Sequence, residues 1–365
     1  MKIMNDGLLP MAHARGSSGC RSRGGCSLVG DGRADENIAL LSMHTVWVRE
    51  HNRIAQELKL LNPGWNNNLL FDTTRKIVGA LLQHITYTEY LSSLVKLRPY
   101  KGRYNLHTDS SIINSFATAA FRFGHSLIPN DFEQLDAGFN KKAEPVNLQK
   151  AFMNRAFVLS TGIESTMFGL VKNSTEHVDD EFSFSIARKL FIDPLDTNGK
   201  MDLTALNIQR GRDHGLPGYT KYRTACHLSD MDTWEKLEKI MFPGAVERLK
   251  KIYSSVQDID LFAGGMSEKH ISGVMLGPTF HCILLKQFEA LRDGDRFYYE
   301  NEGVFTPHQL KAIKKSTLSS VLCNNLRNIV SIQPRALLGD GPGNKRVSCK
   351  SIKVGGLDLK PWKYP

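Results

Sequence analysis

Residues 30–58 read GDGRADENIALLSMHTVWVREHNRIAQEL, and this stretch decides the class of fold. From Glu36 onward, Ile38, Leu41, Thr45, Val48 and the run Ile54–Leu58 recur at spacings close to one helical turn. Such spacing places them on one face of an amphipathic helix. The acidic pair Asp35 and Glu36 stands where a helix start complements the backbone dipole. Leu61-Asn62-Pro63-Gly64 ends the pattern, because Pro and Gly both break a helix. His44 and His51 sit seven residues apart on this helix, which is not a metal-ligand spacing.

The same period continues along the chain. It predicts a helix over 73–94 with Ile77, Leu81, Ile85 and Leu91 on one face. A further helix passes through Ile112, Phe116, Ala119, Ala120 and Phe123 and carries His125 at its end. Residues 147–171 and 181–192 also read as helical, followed by 233–241, 244–254, 279–292 and 307–317. Strand signals are few and short, and no internal repeat or interdomain linker interrupts the chain. The expectation is an irregular segment over 1–26 and one large, mainly α domain with few short strands over 27–365.

Composition narrows the function classes. Hydrophobic residues make up 41% of the 365 residues, enough for a sizeable core. No apolar run approaches the roughly 20 residues that span a bilayer, and no transmembrane segment is expected. The net charge of +10 and pI near 9.2 can attract nucleic acid, anionic lipid or acidic matrix polysaccharide, or mark only a soluble protein with a basic surface. The cations are scattered, with Lys311, Lys314 and Lys315 the densest group. There is no zinc finger, RNA-binding signature or long basic helix, which argues against nucleic acid. Cys20, Cys26, Cys226, Cys282, Cys323 and Cys349 form no CxxC pair. Their even count and wide spacing permit three disulfides and an oxidising compartment, without fixing the pairing. The sequon Asn173-Ser174-Thr175 points the same way. The first eighteen residues lack a charged region followed by an apolar core, so they are not read as a signal peptide.

Three polar stretches carry chemistry. His125 follows Phe121-Arg122-Phe123-Gly124, and Gly124 leaves room for a flat group to approach. A histidine beside an apolar face is by itself more often a hydrogen-bonded core residue than a ligand. Asn207-Ile208-Gln209-Arg210 precedes Gly211-Arg212-Asp213-His214-Gly215, a run dense enough for a partly buried polar site or a structural ion-pair network. Residues 291–305, LRDGDRFYYENEGVF, form the last distinctive stretch.

Taken in order, residues 30–58, FRFGHSLIPN at 121–130, ALNIQRGRDHGLPGY at 205–219 and LRDGDRFYYENEGVF resemble four signatures of the animal haem peroxidases. The nearest members are the peroxidasin-like and myeloperoxidase-like proteins of the peroxidase–cyclooxygenase superfamily. The resemblance extends over residues 27–364. It implies a haem b cofactor, hydrogen peroxide and a small reducing substrate as partners, and an extracellular location. It makes His125 the proximal iron ligand, a role suited to an imidazole nitrogen. It makes Asn207 the residue that hydrogen-bonds the other ring nitrogen. Arg33 matches the distal arginine, which polarises peroxide. Glu36 matches a carboxylate that forms an ester with a haem methyl. Asn37 follows it where some members carry a methionine, and Asn cannot form their sulfonium link. Arg122 and Arg210 match positions that pair with haem propionates. Cys226–Cys282 and Cys323–Cys349 fall where members carry disulfides, and Cys20–Cys26 where a third pair occurs.

One departure is clear at the level of motifs. The family's distal histidine lies in a Q-x-x-x-H-D segment well before GD-x-R, and no such segment precedes Arg33 here. His13 lacks a neighbouring Asp, and Gln83-His84 falls after Arg33, so neither is assigned as the distal base. Positioned acid–base groups typically contribute about 10²–10⁴-fold. The resemblance therefore implies an N-terminally incomplete catalytic domain that has also lost the family's calcium site. The runner-up reading is a catalytically impaired haem-binding or matrix-interaction protein.

Overall fold

The computed structural model describes residues 1–12, 22–191, 201–351 and 354–364. Helix accounts for 47% of the structure, against two small sheets, so the mainly α expectation holds. The chain divides into two compact units. The first comprises Met1–Glu89, Asp131–Ser174 and Gly303–Pro365; the second comprises Tyr90–Asn130 and Thr175–Glu302.

The first unit is built on α1 (Ile38–Leu61) and α2 (Asn67–Ile85). Asn37 caps α1, its side chain accepting from the Leu40 amide at 2.9 Å. This satisfies one of the free N–H groups of the first turn and gives Asn37 a structural reason to be Asn. Ile38, Leu41, Thr45, Ile54 and Leu58 are buried along one face, as the period requires. Asn66 caps α2, which begins before residue 73 and passes into a π-helical turn, Thr86–Tyr90. Within this unit Arg49 of α1 pairs with Glu164 at 2.8 Å, and Asn325 donates to the buried Glu50 at 2.7 Å. Arg155, also buried, donates to the Leu9 and Gly24 carbonyls at 2.8 Å each and to Ser27 Oγ at 3.1 Å. These bonds hold the irregular N-terminal chain in place.

The expected helix over 147–171 is three short ones: Leu148–Ala151, Arg155–Thr161 and Glu164–Lys172. Met153 at φ 46° and Gly162 at φ 77° interrupt it, since a left-handed residue cannot continue a right-handed helix. An antiparallel hairpin of β1 (Asp131–Leu135) and β2 (Lys141–Asn147) packs on the helix Glu164–Lys172. Gly169 makes this approach feasible: a Cβ there would lie 2.1 Å from the Glu133 carbonyl oxygen. A second small sheet pairs β3 (Ser331–Ile332) with β4 (Val347–Ser348).

The second unit contains α3 (Leu203–Asp213) and α4 (Pro278–Asp293). Tyr219, Leu237, Met241, Val246 and Ile259 form one of its cores. Tyr219 of this core donates to Glu268, which is ion-paired with Arg223 at 2.6 Å, the two side chains being 0% and 4% exposed. The expected continuous helix ending at His125 is broken at Ala119 (φ −138°, ψ −68°). Asn114–Thr118 is α-helical, while Ala120–His125 is a 3₁₀ turn. The break lets Phe121 stack on Phe116 at 4.6 Å and meet Phe288 edge-on at 5.6 Å, so aromatic packing overrides local propensity.

Two disulfides form as the resemblance implied. Cys226–Cys282 lies in the second unit and Cys323–Cys349 in the first, with Cα–Cα distances of 6.2 and 5.8 Å. The pairing Cys20–Cys26 involves Cys20, which lies outside the described residues, as does His13. The Cys226–Cys282 link spans 56 residues, and replacing both cysteines by Ser is expected to cost about 2–4 kcal/mol. Denaturant unfolding of the double variant checks this; an unchanged midpoint would refute it.

Candidate haem site

The candidate site starts from a helix with no apolar stripe. Asp202 caps α3, its Oδ1 accepting from Thr204 N at 2.8 Å and Ala205 N at 3.0 Å. Of the α3 residues only Asn207 is buried. Arg210 lies one turn further along. The Arg-Asp-His run therefore separates into different roles. Arg212 forks onto Asp260 at 2.7 and 3.0 Å, and Tyr253 donates to the same carboxylate at 2.8 Å. His214 Nδ1 lies 2.9 Å from Asn114 Oδ1, tying the end of α3 to the helix Asn114–Thr118. Arg212 and His214 thus position α3, while Asn207 and Arg210 are left for the site.

His125 ends the 3₁₀ turn with Nδ1 2.9 Å from Asn207 Nδ2. Asn207 Oδ1 accepts from Arg122 Nη1 at 3.2 Å. His125 Nε2 makes no hydrogen bond to a described residue, and a Cβ on Gly124 would meet nothing within 4 Å. Burial, reinforced by the charge of Arg122, pulls the His125 pKa down to about 4, so the ring is neutral at pH 7. Burial also lowers the Arg122 pKa, and the nearby Arg210 adds to this. Arg122 has no carboxylate partner among the described residues, and Arg210 has only a long 3.5 Å contact to Asp213.

These features fit haem. A neutral imidazole with one free nitrogen can ligate iron, provided that its proton sits on Nδ1. Asn207 controls that choice. With Oδ1 turned toward Nδ1–H, Nε2 keeps its lone pair for the metal; with Nδ2 there, it does not. In this structure Nδ2 faces the ring and Oδ1 accepts from Arg122, so ligation calls for a half-turn of the amide that gives up the Arg122 bond. Two weakly compensated guanidiniums, Arg122 bonded to Asn207 and Arg210 close to Arg122, suit the two carboxylates of a haem.

In the first unit, Arg33 and Glu36 share the turn before α1. Arg33 pairs with Asp31 through two bonds of 2.8 and 3.0 Å and is 75% exposed. The Arg33 guanidinium holds the Asp31 carboxyl well below the usual range. Glu36 is half-buried, and burial raises its carboxyl pKa, with Arg33 acting in the opposite sense.

Beside this turn lies an apolar cleft of about 590 Å³ that the sequence motifs do not flag. Leu28, Val29, Trp47 and Phe71 line it together with His44 and His51. The seven-residue separation of the two histidines on α1 is the available signal, since it places both on one face. His51 is 5% exposed, and its Nε2 is buried without a hydrogen-bond partner among the described residues. Burial lowers its pKa as well.

His51 and His125 therefore both fold uncharged. A histidine with a depressed folded pKa contributes stability above its unfolded value of about 6.5, which is lost as pH falls toward the folded value. Melting temperature should drop between about pH 6.5 and 4. The double variant H51Q/H125Q should flatten that decline; an identical slope would refute the assignment.

Comparison with known proteins identifies the family. The family model for animal haem peroxidase matches residues 1–337, and the chain belongs to that family. The human peroxidasin homolog is 43% identical over 348 residues, covering 92% of this chain and 23% of that protein. Pig thyroid peroxidase is 37% identical over 355 residues, covering 94% of this chain and 38% of its own length. Among solved structures, peroxidase A from Dictyostelium discoideum superposes with a TM-score of 0.78 at 33% identity. That match covers 84% of this chain and 59% of the other. The chain thus spans about a quarter of the peroxidasin relatives it matches. Fatty acid alpha-dioxygenase from Arabidopsis thaliana, at 18% identity and a TM-score of 0.72, shares the fold.

Proposed function

We propose that the chain is the haem-binding part of an extracellular peroxidase that uses hydrogen peroxide to oxidise a halide or a small organic donor. The observation that carries this reading is the neutral, buried His125 with a free Nε2, set beside Asn207, Arg122 and Arg210. His125 Nε2 would hold the iron, Asn207 would orient the ring, and Arg122 and Arg210 would bind the propionates. By the family resemblance alone, Arg33 would offer a cation to peroxide and Glu36 a carboxylate for an ester link to the haem. Haem, when bound, supplies the redox chemistry of peroxide reduction. We assign no calcium site among the described residues. The disulfides and the homology to peroxidasin support an extracellular location with matrix contact, to which the positive net charge is suited.

A second reading is favoured by one observation. Arg33 is bound to Asp31 and largely exposed, not held free in an enclosed pocket. In that state the chain binds haem but turns over slowly. Reconstitution with haemin, followed by the Soret spectrum and by peroxide-dependent oxidation of a phenol or bromide, separates the two. A Soret band with turnover supports the enzyme. Haem bound without turnover overturns it in favour of the second reading, and no haem uptake overturns both.

A further inference from the structure

We propose that Arg122 is a positioning residue that holds His125 in the tautomer unable to ligate iron and releases it when a carboxylate takes the guanidinium. This rests on the haem-site reading above and adds an order of events to it: propionate capture comes first and ligation second.

Three side chains stand in line. Arg122 Nη1 donates to Asn207 Oδ1 at 3.2 Å, and Asn207 Nδ2 lies 2.9 Å from His125 Nδ1. A guanidinium has donors and no acceptor, so the amide atom facing it must be the oxygen. The amide nitrogen is then left facing the ring. That nitrogen also only donates, and Nδ1 can meet it only with a lone pair. The proton of the neutral imidazole is thereby placed on Nε2, the nitrogen that iron requires bare. Asn207 is 0% exposed, so no solvent compensates a mismatched atom. Turning the amide with Arg122 in place would set donor against donor. A buried donor without an acceptor disfavours that arrangement by about 5–150-fold. The amide and the ring proton therefore follow Arg122.

Charge decides what releases the latch. Arg122 Nε is tied to the Ala117 carbonyl at 3.0 Å, whereas Nη1 is held only by the neutral amide. Arg210 lies close enough to disfavour the Arg122 charge. A carboxylate offers the guanidinium two parallel bonds and an opposite charge, against one bond to a neutral oxygen. Once Nη1 is drawn off, the amide can make its half-turn. Oδ1 then accepts from Nδ1–H. One proton leaves Nε2 for solvent as one is taken up at Nδ1, so the ring stays neutral and Nε2 gains its lone pair. A flat ligand without carboxylates would instead meet a protonated Nε2.

The first measurement needs no haem. Imidazole nitrogen NMR of the full chain reads the tautomer at about pH 8, above the ordinary histidine range. The His125 signal is the one lost in H125Q. In the wild type the proton should sit on Nε2. Asn207→Asp, which can only accept, should move it to Nδ1 with Arg122 still in place. Arg122→Leu should populate Nδ1–H beside Nε2–H. The second measurement is a Soret titration with haemin and with haemin dimethyl ester, whose carboxylates are blocked. Wild type should bind haemin at least about tenfold more tightly than the diester. Arg122→Leu should bind the diester at least about fivefold more tightly than wild type does, a gain that a residue serving only to grip propionates would not give. Circular dichroism reports that the variants fold, and Asn207→Asp keeps the tautomer readable if Arg122→Leu does not. Nδ1–H in the wild type, Nε2–H alone in either folded variant, or no gain for the diester in folded Arg122→Leu would each overturn the latch while haemin still binds. No haemin uptake by any form would overturn the peroxidase reading and the latch together.

Discussion

His125→Ala is expected to abolish ordered haem binding. The reasoning begins with the ring itself: it is neutral, has a free Nε2, and faces open space at Gly124. Removing it leaves Asn207 and Arg122 in place but takes away the nitrogen that would reach iron. Haemin titration followed at the Soret band measures this directly. An unchanged band would place the ligand elsewhere. Asn207→Ala should behave differently, because the ligand persists while its orientation and proton position are no longer controlled. Loss of a partner of this kind typically costs about 10–100-fold in metal affinity, so haem should still bind, more weakly and with a shifted spectrum. Added imidazole should restore the band to His125→Ala. Failure of that rescue, together with intact folding, would indicate that the residue shapes the pocket without ligating.

Glu268→Ala should destabilise the fold by about 3–5 kcal/mol, more than any other single substitution proposed for this chain. Glu268 accepts from Arg223 at 2.6 Å, from Tyr219 Oη at 2.6 Å, and from Thr279 N and Oγ1 at 2.7 Å each. Its removal strands a guanidinium that is itself 4% exposed and deprives three neutral donors of their acceptor. A domain is ordinarily stable by only about 5–15 kcal/mol, so the loss takes a large share. Glu268→Gln keeps the shape and part of the hydrogen bonding, yet still leaves Arg223 uncompensated, and should fall between. Lys236→Ala, which breaks the exposed pair with Asp232, should cost no more than about 1 kcal/mol. Denaturant midpoints for the three variants give the ranking. A Glu268→Ala variant as stable as Lys236→Ala would refute the argument.

The candidate site is legible in the sequence as residues and illegible as geometry. Motif resemblance points to His125, Asn207, Arg122 and Arg210 individually, and the structure gathers them in one unit. The helix that carries Asn207 and Arg210 gives no periodic signal, because its only buried residue is polar. The Arg-Asp-His run cannot be divided in advance, since whether an arginine is structural depends on Asp260, far away in sequence. His51 is visible, but the unpartnered state of its Nε2 is not.

The sequence by itself determined the mainly α class, the long helix read from Glu36 onward and the family signatures. Those properties depend on the period of apolar side chains and on residue identity, both of which are local. Tertiary structure decided where helices break. Phe116, Phe121 and Phe288 pack together at the cost of continuity at Ala119, and Gly169 admits the hairpin that strand propensity did not announce. It also decided which charges are free. Arg212 is consumed by Asp260 and Arg33 by Asp31, while Arg122 has no carboxylate partner among the described residues, because ion pairing depends on distances that only the folded chain sets.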